Sequence, residues 1–184
     1  MQKSIFKPWV GEEYYNQGLY GVRILFLGES HYGTKGNENS ETTINVVKRL
    51  ALCEERCHRF FTTTAKLALF KGSRDYISKN ERKELWNKVA FYNYIQEFVA
   101  DKARKRPSKE MWSFSEKAFL NIVKEIKPQL IVILGKELNK NLPLLPENIA
   151  ICRVNHPSSG FKYSEWIPVF KESLIELNVE NISP

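Results

Sequence analysis

At 184 residues, with 42% hydrophobic side chains and 11 Phe, 8 Tyr and 4 Trp, the chain has the length and apolar content of one folded domain, spanning 1–184, and excludes a disordered chain. No apolar run approaches the ~18 residues that cross a bilayer, and the N-terminal MQKSIFKPWVGEEYY has no apolar signal core, so a cytoplasmic protein with no membrane association is expected. The net charge of +7 favours a polyanionic partner.

In chain order, short apolar runs alternate with amphipathic stretches. Val22–Leu27 (VRILFL) predicts a first strand, ended by Gly28. A helix is expected from about Ser40 to Arg59, followed by a polar region around Lys71–Arg82. Lys88–Tyr92 (KVAFY) predicts the second strand. Ser113-Phe-Ser-Glu116 reads as a capping box, after which Phe119, Ile122, Val123 and Ile126 share one helical face and Pro128 stops the helix. Leu130–Leu134 (LIVIL) predicts a third strand with no polar alternation, as expected where both faces are covered. Lys136–Leu142 reads as a short helix, Ile149–Val154 as a fourth strand and Ser164–Leu177 as the last helix, with Pro168 tolerated near its first turn.

Three cysteines, Cys53, Cys57 and Cys152, are too few for a disulfide scaffold and fit a reducing compartment. Cys53-x3-Cys57-His58 supplies only one ligand pair, where tight zinc sites show two, so two half-buried thiols on one helix are expected and no metal.

Strand–helix alternation implies an α/β fold: a three-layer α/β/α arrangement with a central four-stranded parallel sheet. Such sheets place ligands at the carboxyl ends of their strands. After the first strand comes Gly28-Glu29-Ser30-His31-Tyr32-Gly33, a carboxylate, a hydroxyl, an imidazole and a phenol bracketed by glycines. The second strand ends in Asn93, whose amide both donates and accepts; its bland alternative is a helix cap. The fourth is followed by Asn155-His156-Pro157-Ser158-Ser159-Gly160, with hydroxyls suited to a phosphate, although His156 alone also fits a structural histidine. Five of the eight residues in Lys102–Lys109 are cationic, a phosphate-tracking surface or a solvated loop, and Lys71, Arg74 and Lys79 are placed to extend it. Phe60 and Phe61 offer rings for stacking on a base, with core packing expected for at least one.

GESHYG (28–33), VAFYN (89–93) and NHPSSG (155–160), in this order and strand context, resemble the motifs of the uracil-DNA glycosylase superfamily, and the 106–138 stretch is similar to the corresponding segment of uncharacterised members. The resemblance spans about Val22 to Ser159. It implies a uracil-DNA glycosylase-like fold and a monofunctional enzyme that flips a uracil-like or modified base out of double- or single-stranded DNA and hydrolyses its N-glycosidic bond. Base-excision repair, or defence against bacteriophage DNA with modified bases, would be its setting. By the resemblance, His156 donates to the leaving base, Asn93 reads its edge with Gly28 also at the base, Tyr32 walls the pocket beside the pyrimidine 5-position, Ser158 contacts a flanking phosphate, and Ser159 opens the 159–161 stretch that meets the DNA. Phe161 stands where the family inserts a wedge, and Arg104, Lys105 and Arg106 add DNA contacts. The best-known branch carries a water-orienting aspartate and then a proline where this chain has Ser30 and His31. Glu29 is therefore the expected water-activating group, with His31 or Ser30 as alternatives, and the identity of the base stays open. The iron–sulfur branches use four cysteines, so no cluster or other cofactor is expected, and the chain is expected to act as a monomer. A non-catalytic nucleic-acid-binding protein of the same fold and a nucleoside or nucleotide hydrolase are the alternatives.

Overall fold

Two apolar runs build the centre of the molecule. In the computed structural model, which describes residues 6–102, 105–177 and 179, Ile24–Gly28 (β2) and Leu130–Leu134 (β4) are parallel neighbours, buried along their whole lengths. Ala90–Asn93 (β3) pairs in parallel with the other edge of β2, and Ala150–Val154 (β5) with the other edge of β4. Trp9–Val10 (β1) adds an antiparallel edge beside β3, giving the order β1-β3-β2-β4-β5. The fold is α/β with a mostly parallel five-stranded sheet among the described residues, which corrects the expected four. The fifth strand escapes sequence reading because two residues carry no period.

Alternate strand residues feed two cores. Ile24, Phe26, Phe91, Leu130, Val132, Cys152 and Val154 face one side, with Phe61, Trp86 and Phe170 of its helices. Leu25, Leu27, Tyr92, Ile131 and Ile133 face the other, with Phe119, Ile122, Val123 and Ile126. Period-two alternation within fully apolar strands thus buries both faces. The first side is covered by Arg59–Ala68 (α2), Lys79–Lys88 (α3) and Tyr163–Ile175 (α6), the second by Lys109–Ile126 (α4).

Several element boundaries differ from expectation. The helix expected over about 40–59 is instead Thr42–Val46 (α1) running into a π-helical turn, Val47–Ala51, and it stops there. Cys53 takes φ 60°, a left-handed conformation that breaks a helix, and the chain re-enters helix only at Arg59. Cys53 and Cys57 are joined as a disulfide, Cα atoms 4.6 Å apart, which corrects the expectation of two thiols on one helix; Cys152 is free and buried. The polar 71–82 region ends in a capping box, where Ser78 accepts from the Glu81 N–H and Glu81 accepts from the Ser78 N–H, so α3 begins at Lys79.

The capping box expected at Ser113 is not used. α4 starts a turn earlier, capped by Ser108, whose Oγ accepts from the Met111 N–H. The helix ends at Lys127, left-handed at φ 47°, before Pro128, and its predicted apolar face is buried. Lys136–Lys140 (α5) is shorter than expected, and Pro168 lies in the second turn of α6. Among the described residues no helix is long and apolar enough to cross a membrane.

Candidate active site

The loops leaving β2 and β3 run side by side. Gly28 and Asn93 are register partners at the last paired position. Beyond them, backbone N–H groups of Tyr94, Ile95 and Val99 donate to the carbonyls of Gly28, Glu29 and His31, and Gly33 N–H donates to Ala100 O, at 2.9–3.3 Å. The first motif and the segment after Asn93 are thereby zipped together by main-chain bonds. Glycine at position 28 leaves room for the Asn93 amide, since a Cβ there would lie 2.1 Å from Asn93 Oδ1.

Asn93 is only 6% exposed. Among the described residues no helix begins after it until Lys109, so it caps none. Its Nδ2 donates to His31 Nδ1 at 3.1 Å, and its carbonyl accepts from Gln96 Nε2 at 3.0 Å. His31 is interior, 5% exposed, with Nε2 2.8 Å from Thr43 Oγ1 and the Phe6 ring edge-on at 5.1 Å. Burial pushes its pKa down to about 4. Both ring nitrogens are thus engaged inside the protein, one of them by Asn93.

Glu29 directly follows Gly28, with its side chain 14% exposed. Desolvation raises its pKa, and the Arg106 guanidinium, donating to Oε2 at 3.3 Å, opposes that rise. The Ser30 hydroxyl is buried without a hydrogen-bond partner among the described residues. Tyr32 is exposed, and its OH donates to the Lys105 carbonyl at 3.3 Å, which ties it to the basic loop. Lys105 and Arg106 therefore lie against the first motif, while Arg104 falls outside the described residues. Lys71 is ion-paired to Glu81, and Arg74 and Lys79 are exposed.

His156 follows β5 on an exposed turn. Its Nδ1 accepts from the Ser158 N–H at 3.2 Å, so the neutral ring carries its proton on Nε2. Its carbonyl accepts from the Ser159 N–H at 2.9 Å, closing the turn. The ring packs at 5.3 Å from Phe60, and a Cβ on Gly135 at the end of β4 would lie 3.8 Å from it. Desolvation, then the positive charge of Arg106, lowers the His156 pKa. Phe60 also meets Phe91 at 6.0 Å, and the Phe91 ring reaches to 3.3 Å from a Cβ built on Gly28. Asn93, Gly28, Phe91, Phe60 and His156 thus follow one another as near neighbours along this edge. Phe61 is core, as expected of one of the pair.

The Phe161 ring packs on Tyr163 at 5.4 Å and Trp166 at 6.4 Å, half-buried against the core two residues before α6 begins. Thr43 and Gln96 were not singled out from sequence: one sits in an ordinary polar run at the start of α1, the other in a loop, and neither position carries a local signal. Two surface recesses, of about 570 Å³ beside Lys109 and Phe114 and about 250 Å³ beside Tyr20 and Lys88, involve none of the motif residues.

No protein-family model matches this chain, and no curated protein matches it. The functional reading therefore rests on the motifs and their geometry.

Proposed function

We propose that this protein is a DNA glycosylase with a uracil-DNA glycosylase-like fold, excising a flipped uracil-like or modified base and leaving an abasic site. One observation carries the reading: the Asn93 amide and the His156 imidazole, far apart in sequence, lie at one edge of the sheet with Gly28, Phe91 and Phe60 between them, and Glu29, paired with Arg106, directly follows Gly28 in the chain. The resemblance of GESHYG, VAFYN and NHPSSG to the superfamily motifs agrees with that placement.

Each group has a chemical task. Breaking the N-glycosidic bond leaves the electron pair on the base and an oxocarbenium-like sugar. His156, protonated on Nε2 in its neutral form, donates to the oxygen where negative charge gathers; a preorganised donor of this kind is worth ~3–4 kcal/mol. A neutral ring suits the task, since a directed N–H is what it needs. Asn93 reads the base edge, and Phe60 supplies a face for stacking beside it. Glu29 orients the water that adds to the sugar carbon and takes its proton, once a DNA phosphate draws Arg106 away. Lys105 and Arg106 hold the flanking backbone, and Ser158 and Ser159 line the turn on the opposite side.

The test is a panel of single- and double-stranded oligonucleotides, each with one altered base, assayed for alkali-labile abasic sites. Cleavage of at least one member is expected; binding without any cleavage would remove the enzymatic reading. A second reading, a nucleic-acid-binding protein without catalysis, is favoured by one specific contact, the Arg106–Glu29 pair that occupies the sole carboxylate of the first motif.

A further inference from the structure

We infer that Thr43, His31 and Asn93 form a hydrogen-bonded chain that fixes which end of the Asn93 amide meets a ligand, making the buried His31 a positioning residue that sets specificity. The inference rests on the reading that Asn93 touches the bound base. An amide turned by 180° keeps its shape and exchanges an acceptor for a donor, so partners, not sterics, decide its orientation. The Nδ2 end faces His31 Nδ1 at 3.1 Å. An NH2 group only donates, so Nδ1 holds a lone pair and the neutral ring carries its proton on Nε2. That proton meets Thr43 Oγ1 at 2.8 Å, in a side chain with no exposed surface.

The ring has little freedom to exchange its nitrogens. Phe6 packs edge-on against it, and residue 31 is bridged to Phe98 by a parallel β-bridge. Gln96 holds the next segment, donating to the Asn93 carbonyl at 3.0 Å and accepting from the Phe6 N–H at 3.1 Å. The remaining end of the amide, Oδ1, lies over Gly28 on the side of Phe91. That is also the side on which Phe60 meets His156. An acceptor fixed there selects a base whose edge presents a ring N–H, and disfavours one presenting a lone pair or an N-methyl group at that point.

Two arms test this. In 15N-labelled protein, long-range 1H–15N correlation spectra should show His31 protonated on Nε2 alone from pH 8 to pH 5; a ring protonated on Nδ1, or titrating near 6.5, overturns the chain. The second arm compares the excised base with its ring-N-methylated analogue in oligonucleotides. His31→Phe, which keeps a ring and removes both hydrogen bonds, should lose at least about tenfold of the preference for the N–H base, chiefly in KM. His31→Asn, which keeps an acceptor near the Nδ1 position, should restore most of it. Unchanged preference in His31→Phe overturns the proposal. Should His31→Phe fail to fold, Thr43→Val serves in its place, with a smaller loss in the same direction expected and unchanged preference overturning the proposal. Should no base be excised by the native protein, the glycosylase reading falls while the spectra still decide the chain: in Thr43→Val the Asn93 side-chain amide resonances should shift, and their constancy overturns it.

Discussion

Gly28 is where the candidate site tolerates no addition. A methyl group there would sit 2.1 Å from Asn93 Oδ1, so Gly28→Ala must either expel the Asn93 side chain or part β2 from β3. We expect a stability loss of about 1–3 kcal/mol in denaturant melts, together with loss of any ligand that Asn93 reads. His156 predicts the opposite pattern. It lies on an exposed turn and its loss leaves the core intact, so His156→Ala should keep duplex affinity within about twofold while single-turnover excision falls by about 10²–10³. Equal loss of affinity and rate would assign it to binding alone. The motif residues were legible because each follows a strand, where α/β sheets hold their ligands. Their individual roles were less so: residue type cannot say that His31 turns inward to Thr43 while His156 turns outward, since only the packing of Phe6 and Phe60 against the two rings separates them.

At the scale of elements, unbroken apolar runs announced the strands, and the face of α4 was readable from its period. What was hidden was set by backbone conformation and tertiary contact. The expected helix stops at the π-helical turn just before left-handed Cys53, and nothing in ALCEERCHRF marks that residue for φ 60°. Placing α2 after this break is what brings Phe60 to His156. The cap of α4 was misassigned because Ser108 and Ser113 both precede apolar positions, and the hydrogen bond to Met111 decides between them. The Ser78–Glu81 box was missed inside a stretch that read only as polar. It closes α3 reciprocally, so Ser78→Ala should cost about 1 kcal/mol, read as a lower denaturation midpoint with unchanged slope.

The whole molecule carries a net charge of +7, and the basic loop meets the first motif through Lys105 and Arg106. Its stability should also depend on pH through one interior group. Folded His31 has a pKa near 4 against the ordinary 6.5. Between those values the unfolded chain binds the extra proton, so the contribution of His31 is complete above about pH 6.5 and is lost as pH falls toward 4. The expected loss is about 2–3 kcal/mol at pH 4.5 relative to pH 7.5. Chemical denaturation of the native protein and of His31→Asn at both pH values checks this: the variant should show a shallower dependence, and equal dependence would place the acid sensitivity elsewhere.

The two halves of the candidate site are fastened differently. The 28–33 and 93–100 segments share a ladder of main-chain bonds, whereas the His156 turn and Arg106 reach them through a ring contact and one ion pair. Amide hydrogen exchange should therefore be slow at Tyr94 and Ile95 and faster by orders of magnitude at Ser158 and Ser159. A nucleotide entering the site would then find one stationary jaw and one that yields.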